Sequence, residues 1–179
     1  MTLMVLDLKL PVPEGVWTNS MVWSLLGDLT VNLFVYALSF FILAAFWLGH
    51  HKAFDQLKRA DQGLFFLIAI WIFFVALMPF STNLVGGFGS KIPAALFFNA
   101  NLFLLGIFAF LIHRYIINHD LSEKILDKDE IMGTYRHNLI FPLIAAVGLI
   151  LSIIIPVYSY FVYLVAIVVL FRPKGQNHD

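Results

Sequence analysis

The run LTVNLFVYALSFFILAAFWLGHH, residues 29–51, decides the fold. It lies between Asp28 and Lys52 and contains no charged side chain. A helix needs about 20 residues, each rising about 1.5 Å, to cross the hydrocarbon of a bilayer. This run supplies them, and it lacks the alternation of apolar and polar residues that a barrel strand would show. Working outward, the same pattern recurs. Residues 63–84 are charge-free and interrupted late by Pro79, and residues 92–114 hold no charge before Arg114. Residues 137–171 contain no Asp, Glu, Lys or Arg and are too long for one simple crossing. Pro156 divides that stretch, because proline cannot continue the backbone ladder. Two spans are expected there, 138–155 and 157–171.

Composition agrees. The chain of 179 residues is 61% hydrophobic and 12% charged, with a mean hydropathy of +0.89. Soluble domains carry about 25% charged residues. Net charge is zero, so charge offers no case for a nucleic-acid partner. There is no cysteine, which excludes disulfides and thiolate chemistry.

The chain opens inside an apolar run, Met1-Thr2-Leu3-Met4-Val5-Leu6, followed by Asp7 and by Pro11. Residues 1–10 are half the length of a spanning helix. The expected class is therefore an all-α integral membrane protein, a six-transmembrane-helix bundle with the first helix truncated at its N-terminus. Residues 1–179 are expected to form a single transmembrane domain. Segment Val16–Leu26 reads as a short interfacial helix, since Trp17 and Trp23 favour that zone. Segment Leu121–Glu130 reads as a solvated helix or loop.

Lys and Arg in the loops set orientation. Segments 52–62, 114–136 and the tail after 171 hold nine of the eleven basic residues, and Lys9 and Lys91 are the others. This split places the C-terminus in the cytoplasm. It also requires the opening element to cross, which is why its first half is expected to be missing.

Polar groups inside spans are functional candidates, because they are costly in hydrocarbon. Asn32, Tyr36 and Ser39 share one helical face, and Asn99 and Asn101 point to different sides of another. Interhelical hydrogen bonding is the expected role of all five. His50 and His51 are adjacent and diverge by about 100°, so they do not make the i, i+4 pair of a helical metal site. His113 and His119 add no third ligand, and neither metal nor cofactor is expected. Gly86-Gly87-Phe88-Gly89 lacks the Lys-Ser/Thr of a phosphate loop and the order of a potassium filter. It reads as an external loop. No catalytic triad, paired carboxylates or interior acid stands out, so the chain is not expected to be an enzyme or a proton-coupled carrier.

Three stretches together resemble the transmembrane protein 175 family, potassium channels of endolysosomes and of many prokaryotes. They are Thr2-Leu3-Met4-Val5-Leu6-Asp7-Leu8-Lys9-Leu10-Pro11, then Tyr36-Ala37-Leu38-Ser39-Phe40 with Phe46-Trp47-Leu48-Gly49-His50-His51, and Leu77-Met78-Pro79-Phe80-Ser81-Thr82. The likeness covers Thr2 to Tyr115, and the last two helices fit in arrangement. It implies a potassium-selective or potassium-permeable channel subunit, multi-pass in a prokaryotic cell membrane, working as a homotetramer with K+ ions and the lipid bilayer as partners. It implies a hydrophobic constriction on the first helix rather than a carbonyl filter. Thr2 matches the family's threonine, and Leu3 and Leu6 match two apolar constriction positions. The family's Arg-x-x-x-Phe-Ser-Asp signature is expected upstream of Met1. Trp47, His50 and His51 match the polar network that holds the pore helix through that signature. On a helix Thr2, Leu3 and Leu6 fall within an arc of about 100°, so one face can point at an axis. The alternative is a non-conducting membrane scaffold or accessory subunit.

Overall fold

The computed structural model describes residues 18–123 and 127–170. Within them the chain forms α1 (Asn19–Asp28), α2 (Thr30–Phe54), α3 (Gln62–Phe88), α4 (Ile92–Asn118), α5 (Lys128–Ile154), a 3-10 helix (Pro156–Phe161) and α6 (Val162–Leu170). Four of these, α2 to α5, are long and apolar enough to cross a membrane. No strand occurs among the described residues beyond an isolated bridge between Leu57 and Ser122. The protein is an all-α membrane protein. The opening residues 1–10 lie outside the described residues.

Several helix ends differ from those expected from hydropathy. Helix α5 begins at Lys128 rather than at 138, because Asp127 and Glu130 form a reciprocal cap. The Glu130 N–H donates to Asp127 Oδ1 at 2.7 Å, and the Asp127 N–H donates to Glu130 Oε2 at 3.3 Å. A cap of this kind satisfies orphan N–H groups whatever the polarity that follows. Helix α3 continues to Phe88 rather than ending at 84, so Gly86, Gly87 and Phe88 are helical and only Gly89 lies beyond. Their reading as an external loop is corrected. Pro79 sits inside α3 and Pro142 inside α5 without ending either helix. Neighbouring Ser and Thr hydroxyls and packed helices make such interruptions tolerable in a membrane, and Ser81 Oγ donates to the Met78 carbonyl at 3.0 Å.

The segment expected to form the last span is not a plain α-helix. After Ile155 the chain runs through the 3-10 turns of Pro156–Phe161 before α6. A 3-10 helix rises about 2.0 Å per residue against about 1.5 Å, so the short element reaches further than its residue count suggests.

Helix α4 is the centre of the bundle, packed most extensively against α5 and α3, while α2 lies against α3 and α6. Half of the spanning window of α4 is buried, against 17% for α3. The core includes Val35, Ile42, Leu64, Met78, Phe98, Leu102, Leu105 and Ile112, all fully buried. The two chain ends of the bundle are tied separately. On one, the Lys58 N–H donates to the Leu121 carbonyl at 2.8 Å and the Glu123 N–H to the Gln56 carbonyl at 2.7 Å. On the other, the Tyr160 hydroxyl donates to the Gly89 carbonyl at 2.9 Å.

Candidate functional site

The residues matched to the pore constriction, Thr2, Leu3 and Leu6, lie outside the described residues. Their three companions stand on the last turns of α2, and the helix separates them. Trp47 and His51 are one turn apart and stack with ring centroids 5.5 Å apart and planes 1° from parallel. Both are exposed, Trp47 to 59%. His51 Nε2 lies 3.6 Å from the Asp55 carboxylate, a pair that carries charge only when the imidazole is protonated.

His50 points elsewhere. Its ring meets Trp71 of α3 edge-on at 4.1 Å and stacks on Phe54 at 5.0 Å. Phe46, one turn earlier, reaches both Trp71 at 6.3 Å and Phe141 of α5 at 4.7 Å. Both His50 ring nitrogens and the Trp71 Nε1 are buried without a hydrogen-bond partner among the described residues. Sequence reasoning passed over Trp71. Its signal was present: tryptophan favours the membrane interfaces, whereas this one lies within an apolar run and is 8% exposed.

Two polar clusters lie deeper. In the first, Thr82 Oγ1 of α3 donates to Ser39 Oγ of α2 at 3.1 Å, and Ser39 Oγ donates to the Val35 carbonyl at 2.8 Å. Beside them Asn101 Nδ2 of α4 lies 3.2 Å from Ser81 Oγ and 3.1 Å from Met78 Sδ. In the second, Asn99 Nδ2 lies 2.8 Å from Ser152 Oγ, 3.1 Å from Ser159 Oγ and 2.8 Å from the Ala95 carbonyl, while Oδ1 accepts from Tyr163. The two asparagines thus serve opposite sides of α4, as their spacing predicts. These seven Ser, Thr and Asn side chains and Tyr163 are all buried. They join helices, and they line no described path for an ion.

At the polar end of the bundle Asp61 caps α3. It accepts from the Leu64 N–H at 2.8 Å and from the Tyr115 hydroxyl at 3.1 Å. The Leu64 N–H, followed by the Tyr115 hydroxyl and the charges of His119 and Arg59, holds its carboxyl below the usual range, against a smaller opposing effect of burial.

Residues 1–79 match the family model described as endosomal/lysosomal potassium channel TMEM175. The resemblance read from the three stretches is thereby borne out, and this family is one of ion channels, not enzymes. A potassium channel of Streptomyces collinus is 31% identical over 84 residues, which make up 47% of this chain and 39% of that protein. A potassium channel of a Chryseobacterium strain is 32% identical over 85 residues, 48% of this chain and 41% of that protein. The match thus spans about two-fifths of the length of these relatives. The crystal structure of a TMEM175 homolog from Chamaesiphon minutus, titled a lysosomal potassium-selective channel, superposes with a TM-score of 0.78. It covers 94% of this chain and 87% of its own, at 22% identity. At that identity the likeness shows a shared fold. It extends across α4 to α6, which lie beyond the residues matched by the TMEM175 family model.

Proposed function

We propose that this chain is the subunit of a potassium-permeable channel of the TMEM175 type, acting as a homotetramer in a prokaryotic cell membrane with its C-terminus in the cytoplasm. The observation that carries the reading is the match over residues 1–79 to a potassium-channel family model. The shared fold over nearly the whole chain supports it.

In this reading residues 1–179 act as one transmembrane domain. Thr2, Leu3 and Leu6 of four subunits face a common axis. A leucine ring gates by dewetting, and a threonine hydroxyl ring replaces part of an ion's hydration shell. Trp47 and His51, stacked and exposed on α2, offer the N-terminal helix a surface with an indole N–H and an imidazole. His50 is the third member of the polar network and braces α2 against α3 from behind.

The test is K+ efflux from liposomes holding the purified protein, together with its mass in detergent. Tetramers that carry K+ are the expected result. Tetramers without K+ flux would refute the channel and favour a non-conducting scaffold, and a monomer would refute the assembly.

A further inference from the structure

Helix α1 meets the rest of the described bundle chiefly through α2, and it carries an apolar stripe of its own. We propose that α1 is a lipid-binding helix, lying along the headgroup layer at the end of the bundle opposite the 55–61 loop. The surface it fits is a neutral, zwitterionic one.

Thr18 caps the start of α1, its Oγ1 accepting from the Met21 N–H at 3.4 Å. On a helix, Met21, Val22, Leu25 and Leu26 fall within an arc of about 140°. Ser20, Ser24 and Gly27 lie on the other side, and Trp23 borders the stripe. Trp23 is 73% exposed, and Met21, Val22 and Leu26 are exposed with it. Apolar side chains gathered on one face of such a helix suit the boundary of headgroups and acyl chains, and tryptophan favours the same depth.

Neighbouring rings give the level of the helix. Phe34 of α2 stacks on Phe161 at 5.2 Å, and Phe161 lies 6.2 Å from Tyr158, which is 65% exposed. Exposed tyrosine at the end of a spanning bundle belongs at the membrane–water boundary. Leu29, where α1 passes into α2, is about 8 Å along the helix from Phe34. The α-helix breaks there, with ψ at −6° against about −42°, so α1 leaves the α2 axis at the boundary. A straight continuation would carry the stripe about 15 Å into water, whereas lying along the boundary buries it. The junction is also bonded. The Leu29 N–H donates to the Leu25 carbonyl at 3.0 Å, and Thr30 Oγ1 donates to the Leu26 carbonyl at 3.1 Å. A lipid-held α1 therefore holds the adjoining end of α2 at a set depth.

Charge selects the lipid. Residues 10–51 contain no Lys or Arg, and their acids are Glu14 and Asp28. Basic side chains are what draw interfacial helices to anionic lipid. Apolar burial alone seats α1, so phosphatidylcholine serves as well as phosphatidylglycerol.

The chain has no cysteine, so single cysteines can be spin-labelled in the full chain with every tryptophan kept. Val22→Cys and Leu26→Cys report on the stripe, and Ser20→Cys on the other side, all in phosphatidylcholine vesicles. The stripe labels are expected to be relaxed by oxygen and by a nickel chelate carried on a lipid headgroup more than by the same chelate free in water. The Ser20 label is expected to respond most to the free chelate. Adding phosphatidylglycerol should leave this pattern unchanged. Labels on both sides relaxed alike by the free chelate put α1 in water and overturn the proposal. Stripe labels shielded from all three relaxers mean that protein covers the stripe, which overturns lipid as the occupant. A lipid signal that needs phosphatidylglycerol overturns the neutral surface. No ion flux enters the measurement, so this proposal and the channel reading fail separately.

Discussion

The Tyr163 hydroxyl donates to Asn99 Oδ1 at 2.6 Å, joining α6 to α4 across 64 residues of sequence. The same asparagine's Nδ2 faces Ser152 of α5, Ser159 of the 3-10 turn and its own helix's Ala95 carbonyl. One side chain therefore ties four elements. A hydrogen bond between membrane helices contributes about 0.6 kcal/mol and at most about 1.7. Asn99→Ala removes several and leaves the Tyr163 hydroxyl buried without its acceptor. The expected cost is about 2–3 kcal/mol, read as a lower thermal midpoint in detergent. Ser159→Ala, which still leaves Asn99 bonded, should cost less than about 1 kcal/mol. Equal effects would deny Asn99 its central place.

Two glycines in long helices should respond with opposite signs. A Cβ on Gly106 of α4 would lie 2.6 Å from Phe141 Cδ1 and 3.3 Å from Pro142 Cγ. The aromatic ring is buried and α5 is packed directly on that face, so Gly106→Ala must push the two helices apart. Overpacking of this kind costs about 1–3 kcal/mol. Gly133 of α5 has nothing within 4 Å of the same position, and it lies in the capped polar part of the helix. Gly133→Ala should stabilise by up to about 1 kcal/mol through helix propensity. Thermal unfolding of the two variants in one detergent decides the matter.

Much of the fold was legible because each span is a charge-free run, and a bilayer demands such runs. The ends were less legible. Hydropathy is blind to residues 128–137, whose helix is started by the Asp127–Glu130 cap and not by apolar content. The glycines at 86 and 87 signal a turn in water, but near a membrane helical backbone bonds outweigh their freedom. The roles of Asn99 and Asn101 could be read from their positions, yet their partners could not, since Ser152, Ser159 and Tyr163 are far along the chain. Sequence placed Trp47, His50 and His51 on one helical end, while the side-chain contacts turn His50 to Trp71 and leave the other two exposed.

Asp61 gives the bundle a predictable response to acid. Its carboxylate is favoured in the folded protein by the Leu64 N–H first and by the Tyr115 hydroxyl after it. A carboxyl held below its unfolded value of about 3.9 contributes stability above that pH, and the contribution fades as pH falls through the folded value. Wild type should therefore exceed Asp61→Asn in thermal midpoint near neutral pH, with the gap closing below about pH 4. Tyr115→Phe should narrow the gap at every pH above that without closing it, because the Leu64 cap persists. A gap independent of pH would show that Asp61 acts by shape and not by charge.

The constriction residues give the sharpest test of the proposed pore. Leu3 and Leu6 are assigned to a barrier that excludes water because four apolar side chains meet at the axis, and dewetting depends on that apolar radius. Leu3→Ala and Leu6→Ala should each raise K+ flux, and the double variant should leak Na+ as well. Thr2→Ala is expected to weaken discrimination between K+ and Na+ with a smaller change in total flux, since it removes a hydroxyl ring without widening the leucine ring. Phe40→Ala serves as the control. Phe40 is exposed on α2, and its truncation should alter neither flux nor selectivity. The measurement is efflux of K+ and Na+ from liposomes at matched protein content, with tetramer mass verified for each variant. Wild-type flux in Leu3→Ala and Leu6→Ala would remove both residues from the pore. A gain in Phe40→Ala equal to theirs would mean that the flux reports loosened packing rather than a constriction.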